Sequence, residues 1–239
     1  MKAEPSRTQT RFPFGFTTIL VVTLTIFAVW SDSHSSLLTE TWRNSVGFSA
    51  MSLANLQWHQ TLTSLVFTAG ERQFAQSILM LCISVGLCER KFGSRTAVLV
   101  FFISHVVVTI GLALCVVLPL HLYGVEWATA LASERDVGPS AGYYGCLGIV
   151  VASWSHRHRQ LLTVGIIAVL IVRLSVSLGR IHQTPAIFSA DLAHLASFPF
   201  GIILAQFTDE TAAARRPKSR SKHLPESEPT QGRRERPDT

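Results

Sequence analysis

Six apolar runs decide what this chain can fold into: Phe14–Trp30, Phe74–Cys88, Thr96–Leu118, Ser140–Trp154, Leu161–Leu178 and Ser189–Phe207. Each is long enough, or nearly so, to cross a hydrocarbon layer of ~30 Å. Backbone in lipid must satisfy its own hydrogen bonds, which a helix does within one segment. Of the 239 residues, 48% are hydrophobic and only 15% are charged, too little polar surface for a water-soluble domain of this size. The expected fold is therefore all-α, a six-helix transmembrane bundle over residues 13–207. A short segment, 1–12, precedes it and a tail, 208–239, follows.

Basic residues orient the bundle. With the N-terminus inside, Lys2, Arg7, Arg11, Arg90, Lys91, Arg95, Arg157, Arg159 and eight more in the tail are cytoplasmic, sixteen of the twenty-one Lys and Arg. Arg43, Arg72, Arg135 and Arg180 fall outside, and Arg173 lies within the fifth run. Both termini are thus expected in the cytoplasm, with His156-Arg157-His158-Arg159 as a topology anchor. The first run leads into Ala28-Val29-Trp30 without a small-residue cleavage site, so it reads as a retained anchor rather than a signal peptide. The net charge of +6 is concentrated in the Pro/Ser/Glu/Arg-rich tail, which reads as disordered and attracted to anionic headgroups, not to nucleic acid.

Cys82, Cys88, Cys115 and Cys146 sit in apolar runs without metal-ligand or paired spacing and read as packing residues; no metal and no cofactor is expected. The long outer segment Ser31–Gln73 carries Trp42, Phe48, Met51, Leu53, Leu56 and Trp58 among polar residues, which predicts amphipathic pieces in the outer interface. A second outer segment, Pro119–Val137, ends at the helix-breaking pair Gly138-Pro139.

The fourth run is too short. Fifteen residues make roughly 22 Å of helix at 1.5 Å per residue, against ~30 Å of hydrocarbon. If Arg157 and Arg159 fix its inner end, its start at Ser140 lies roughly 8 Å below the outer surface, where non-helical backbone requires protein or a wet cavity around it. His194, five residues into the sixth run, reaches the same depth. A Ser and a His level with each other on two helices form a candidate nucleophile and base, with the free amides of a helix start beside the Ser. The plainer assignments are an N-cap for Ser140 and an interhelical hydrogen bond for His194. Asp191, one turn before His194, reads as a helix-start cap. His105 and Arg173 are the other ionisable groups in the runs; a transport path would use both, but His105 is isolated and Arg173 is near enough to the outer end to snorkel.

The stretch Gly138-Pro139-Ser140-Ala141-Gly142-Tyr143-Tyr144-Gly145-Cys146-Leu147-Gly148 resembles the fourth-helix motif of rhomboid intramembrane serine proteases, with Ala141 in place of the usual glycine. Ala193-His194-Leu195 followed by Gly201 resembles the sixth-helix histidine motif, with Ser197 at a usual glycine position. Gly86 and Glu89-Arg90-Lys91-Phe92-Gly93-Ser94 are similar to the connection after the second helix, and Trp58 and Thr63-Ser64 to the segment entering it. The likeness covers roughly 58–201. It implies Ser140 as nucleophile, His194 as general base and acid, and Tyr144 as the ring stacked on the imidazole, in a dyad. The family's oxyanion site takes a His and an Asn from the second helix; the matching positions here are Gln73 and Ser77, which still carry donors. Gly138 belongs to the same supporting set.

The resemblance implies an intramembrane serine endopeptidase acting on a single-pass or other transmembrane protein substrate near the outer face. It is strongest to divergent bacterial members, which implies a multi-pass protein of a bacterial plasma membrane. The alternative is a catalytically inactive rhomboid-like protein that binds membrane-protein clients. The pattern Gly138-x-Ser140-x-Gly142 also fits an α/β-hydrolase nucleophile elbow, but that elbow needs a strand before the Ser, and Ser133–Val137 is mostly polar and charged.

Overall fold

The computed structural model describes residues 14–214, so the segment 1–12 and most of the tail 208–239 lie outside the described residues. Helix α1 is Gly15–Trp30. The segment after it forms three short helices, α2 (Glu40–Val46), α3 (Ala50–Ala54) and α4 (Gln60–Thr63). Helix α5 (Glu71–Met80) runs through a π-helical stretch, Leu81–Val85, into α6 (Gly86–Phe92). Helix α7 (Ser94–Leu112) likewise passes through Ala113–Val117 into α8 (Leu118–Leu122). Then come α9 (Glu126–Ser133), α10 (Ser140–Ala152), α11 (His156–Leu178) and α12 (Pro185–Ala214). Among the described residues the one β pairing is an isolated bridge between Phe48 and Asp136, so no strand supports a hydrolase elbow.

Three helices are long and apolar enough to cross a membrane, Ser94–Leu122, His156–Leu178 and Pro185–Phe207, and Gly15–Trp30 and Ser140–Ala152 are shorter apolar helices. With side chains such as Ile19, Leu99, Val164 and Ile203 exposed on the helix faces, the fold is that of an integral membrane protein covered by lipid.

Helix α10 is the centre of the bundle. Ten of its thirteen residues are buried, among them Tyr143, Cys146 and Ile149. Its glycines let neighbouring backbones come close, as small residues do at helix contacts in lipid. A Cβ on Gly148 would lie 2.2 Å from the Phe198 carbonyl of α12, and one on Gly201 would lie 2.1 Å from the Gly145 carbonyl. On the other side, Gly142 faces the Phe101 ring and Gly145 faces the Ser104 hydroxyl of α7. Ser197 stays within α12: its Oγ donates to the Ala193 carbonyl at 2.6 Å.

The start of α1 has no cap of its own, and Glu89 supplies one from α6. Its carboxylate accepts from Phe16 N (2.8 Å), Thr17 N (2.8 Å) and Thr17 Oγ1 (2.7 Å), and from Ser94 Oγ (2.6 Å) at the start of α7. A buried carboxylate on free helix-start amides is a charge-assisted contact. The Glu89–Ser94 stretch therefore joins three helices.

The segments 31–73 and 119–137 are more ordered than loops. Trp42 packs on Phe67 and Trp30, while Phe48 and Leu53 join Leu131, Ile181 and Phe188 in a second core. Leu56 and Trp58 are exposed, as residues lying in an interface would be. The cysteines divide: Cys88 and Cys146 are buried packing residues, whereas Cys82 and Cys115 are exposed on the outer faces of their helices, where an apolar thiol suits lipid as well as a core. His105 is not alone, since its Nε2 is 2.9 Å from the Thr61 carbonyl and so ties α7 to α4.

Candidate active site

Ser140 is the first residue of α10, and Pro139 takes the cap position before it. No side chain caps this helix, so the Ser140 hydroxyl is not consumed as an N-cap. The first-turn amides of α10 lack intrahelical acceptors, which puts donors and the positive end of the helix dipole beside that hydroxyl.

The segment leading into Ser140 is held from outside. Gly138 N donates to the Ser64 carbonyl at 2.8 Å, and Gln73 Nε2 donates to the Val137 carbonyl at 2.7 Å. Gln73 Oε1 in turn accepts from Ala69 N. Gly138 has φ +136°, a conformation side-chain-bearing residues rarely adopt, and a Cβ there would lie 2.8 Å from Gln73 Nε2. The Gly138 position and Gln73 thus define each other.

Helix α12 brings in His194. Its ring lies against Tyr144, with centroids 4.5 Å apart and planes at 32°. Tyr144 is one turn after Ser140 on α10, on the same helix face. His194 is only 4% exposed, yet neither ring nitrogen has a hydrogen-bond partner. Ser140 and His194 are therefore not hydrogen-bonded to each other in this state. A buried imidazole with two unpaired nitrogens is poor structural design, and such orphans mark strain or chemistry.

Asp191 is not at a helix start. Helix α12 begins at Pro185, which puts Asp191 nearly two turns inside, where it has no free amides to cap. Its Oδ1 lies 2.7 Å from Nη2 of Arg173 on α11 and 3.7 Å from His194 Nδ1. Arg173 thus has a carboxylate partner in the bundle and is not a lone charge.

The two expected oxyanion residues differ. Ser77 on α5 is 1% exposed, lies beside Tyr143 and has a hydroxyl without a partner. Gln73 is mostly committed to the loop, with one Nε2 hydrogen left over. Before Gly138, Arg135 Nη1 donates to Gln60 Oε1 at 2.6 Å and to the Gly47 carbonyl at 3.1 Å, and Phe48 and Asp136 exchange backbone bonds of 2.9 and 2.8 Å. These contacts fix the strand of chain that ends at Gly138.

Burial pushes the Asp136 carboxyl up to about 7, with Glu134 adding to the shift and the Val137 amide and Arg43 opposing it. A carboxyl raised in the folded state stabilises that state fully below its ordinary value, and the contribution is lost as pH rises through about 7. Asp136→Asn should accordingly raise the thermal midpoint at pH 8 and leave it nearly unchanged at pH 4, measured by thermal unfolding in detergent. No group of His, Cys, Asp and Glu able to hold a metal ion occurs among the described residues.

No curated protein and no solved structure matches the chain. The family model of the rhomboid domain matches residues 55–209, well over half of the chain and including every residue of the Ser140/His194 site, so the chain belongs to the rhomboid family.

Proposed function

We propose that this protein is an intramembrane serine endopeptidase with a Ser140–His194 dyad, six membrane-crossing helices and both termini in the cytoplasm, acting near the outer face of a bacterial plasma membrane. The observation that carries it is the stack of His194 on Tyr144, one turn from a Ser that opens a buried helix. Ser140 Oγ attacks the scissile carbonyl carbon while its proton passes to His194 Nε2. The oxyanion that forms is met by the first-turn amides of α10, by Ser77 Oγ and by the spare Gln73 hydrogen. His194 then gives its proton to the leaving amine. A water deprotonated by His194 cleaves the acyl ester and restores Ser140.

The Ser140–His194 hydrogen bond is made only when substrate is bound, as catalytic bonds often are. A transmembrane substrate has a route to them. An apolar groove between α5, α10 and α11, lined by Met80, Tyr144, Leu147, Leu161, Ile166 and Leu170, reaches the Tyr144 side of the site. Helix α11 beside it is lightly packed, with Leu170 and Ser177 as its buried residues.

The second reading is a rhomboid relative that binds membrane-protein clients without cutting them. It is favoured by the commitment of Gln73 to Val137 and Ala69 and by the open Ser140–His194 pair. Reconstitution in liposomes with a panel of single-pass reporters separates the two. The protease cuts at least one reporter near its outer end, and Ser140→Ala abolishes the cut. Reporters that co-purify equally with wild type and Ser140→Ala, and that are never cut, establish the client-binding protein instead.

A further inference from the structure

We propose that Asp191, neutralised by Arg173 of α11, is the positioning residue that sets the ring orientation and tautomer of His194. This rests on the dyad reading above and adds a third and a fourth side chain to it.

The geometry is economical: a single carboxylate oxygen, Asp191 Oδ1, is 2.7 Å from Arg173 Nη2 and 3.7 Å from His194 Nδ1. Asp191 is 2% exposed and His194 4%, so neither can turn to water. The Tyr144 ring on the face of the imidazole supplies no acceptor for Nδ1–H. Among the described residues Asp191 is the one carboxylate at ion-pair distance from the ring. The separation exceeds an ordinary N–H···O bond by about 0.7 Å, a small side-chain adjustment. Once made, that bond puts the hydrogen on Nδ1 and leaves the Nε2 lone pair for the Ser140 proton.

Arg173 explains how a carboxylate comes to be there at all. An unpaired buried charge is expensive, and the guanidinium from α11 compensates it while keeping its own other side toward the surface, with 40% of its side chain exposed. Tyr144 on α10 and, through Asp191, Arg173 on α11 also face His194. A cap would belong at Pro185, two turns away, and a purely structural clamp between α11 and α12 would not require the shared oxygen to face the histidine.

The test replaces the pair by apolar residues, since a buried ion pair exchanged for well-packed side chains commonly leaves stability unchanged. Full-length wild type, Asp191→Asn and the double variant Arg173→Met/Asp191→Leu are compared in detergent for thermal midpoint, for fluorophosphonate labelling rate and for the ¹⁵N spectrum of the histidine rings, with His194 assigned by its loss in His194→Ala. Expected is an Nδ1–H ring in wild type, a mixed tautomer in both variants, and labelling slowed by about tenfold or more in a double variant of wild-type midpoint. An unchanged tautomer, or unchanged labelling, in that variant overturns the proposal. If wild type itself does not label, the protease reading fails, and the tautomer comparison alone decides the role of Asp191.

Discussion

Valine at position 201 should abolish the assembled site by forcing α10 and α12 apart. The Gly201 Cα faces the Gly145 carbonyl so closely that even a Cβ would sit 2.1 Å from that oxygen, and the atom it meets is backbone, not a side chain that can turn away. Gly148 makes the reciprocal approach to Phe198, so one contact cannot shift without the other. Overpacking of flexible side chains costs about 1–3 kcal/mol; a rigid backbone clash at two linked points belongs at or above the top of that range. Thermal unfolding in detergent should show a large fall in midpoint for Gly201→Val. Gly165→Ala on α11, where nothing lies within 4 Å of a Cβ, should be neutral or slightly stabilising. Equal effects of the two would mean that α10 and α12 are not in backbone contact.

Removal of either dyad residue should lower the rate of reporter cleavage by on the order of 10⁴-fold or more, because nucleophile and base act as one unit and losing one forfeits nearly the whole contribution. Ser140→Ala and His194→Ala should therefore be about equally inactive, and the double variant no worse. Both should fold: Ser140 caps nothing, and neither nitrogen of His194 makes a hydrogen bond that the fold relies on. Removing the Ser77 hydroxyl is expected to be milder, on the order of 10²-fold, as for one donor among several. A Ser140→Ala variant that kept more than a few percent of wild-type cleavage would assign the chemistry elsewhere.

Much of this arrangement was legible in the residues. The six apolar runs all became helix, and the shortness of the fourth located the start of α10 at Ser140, because Gly138-Pro139 permits no earlier beginning. Helical spacing put Tyr144 on the Ser140 face, and its ring is on His194. What the sequence hid was mostly pairwise. Pro185 is well suited to a first helical turn, so α12 begins four residues before the apolar run at Ser189, and Asp191 turns from a cap into an interior charge. Its partner Arg173 is eighteen residues away on another helix, a separation without periodic signature. The amide of Gln73 was readable as a donor, but not that Val137 and Ala69 would engage it. The segment 119–137 read only as a connection ending at Gly138-Pro139, because the apolar side of α9, Leu131 and Ala132, is recognisable as core only once Phe48 and Phe188 are in place beside it.

The most direct test is peptide-mapped mass spectrometry of the full-length protein after treatment with a fluorophosphonate in detergent that preserves a cooperative thermal transition. The dyad account predicts one phosphonyl group per chain, on Ser140, and none in His194→Ala. An adduct on another serine, or none on protein that still unfolds cooperatively, would contradict it.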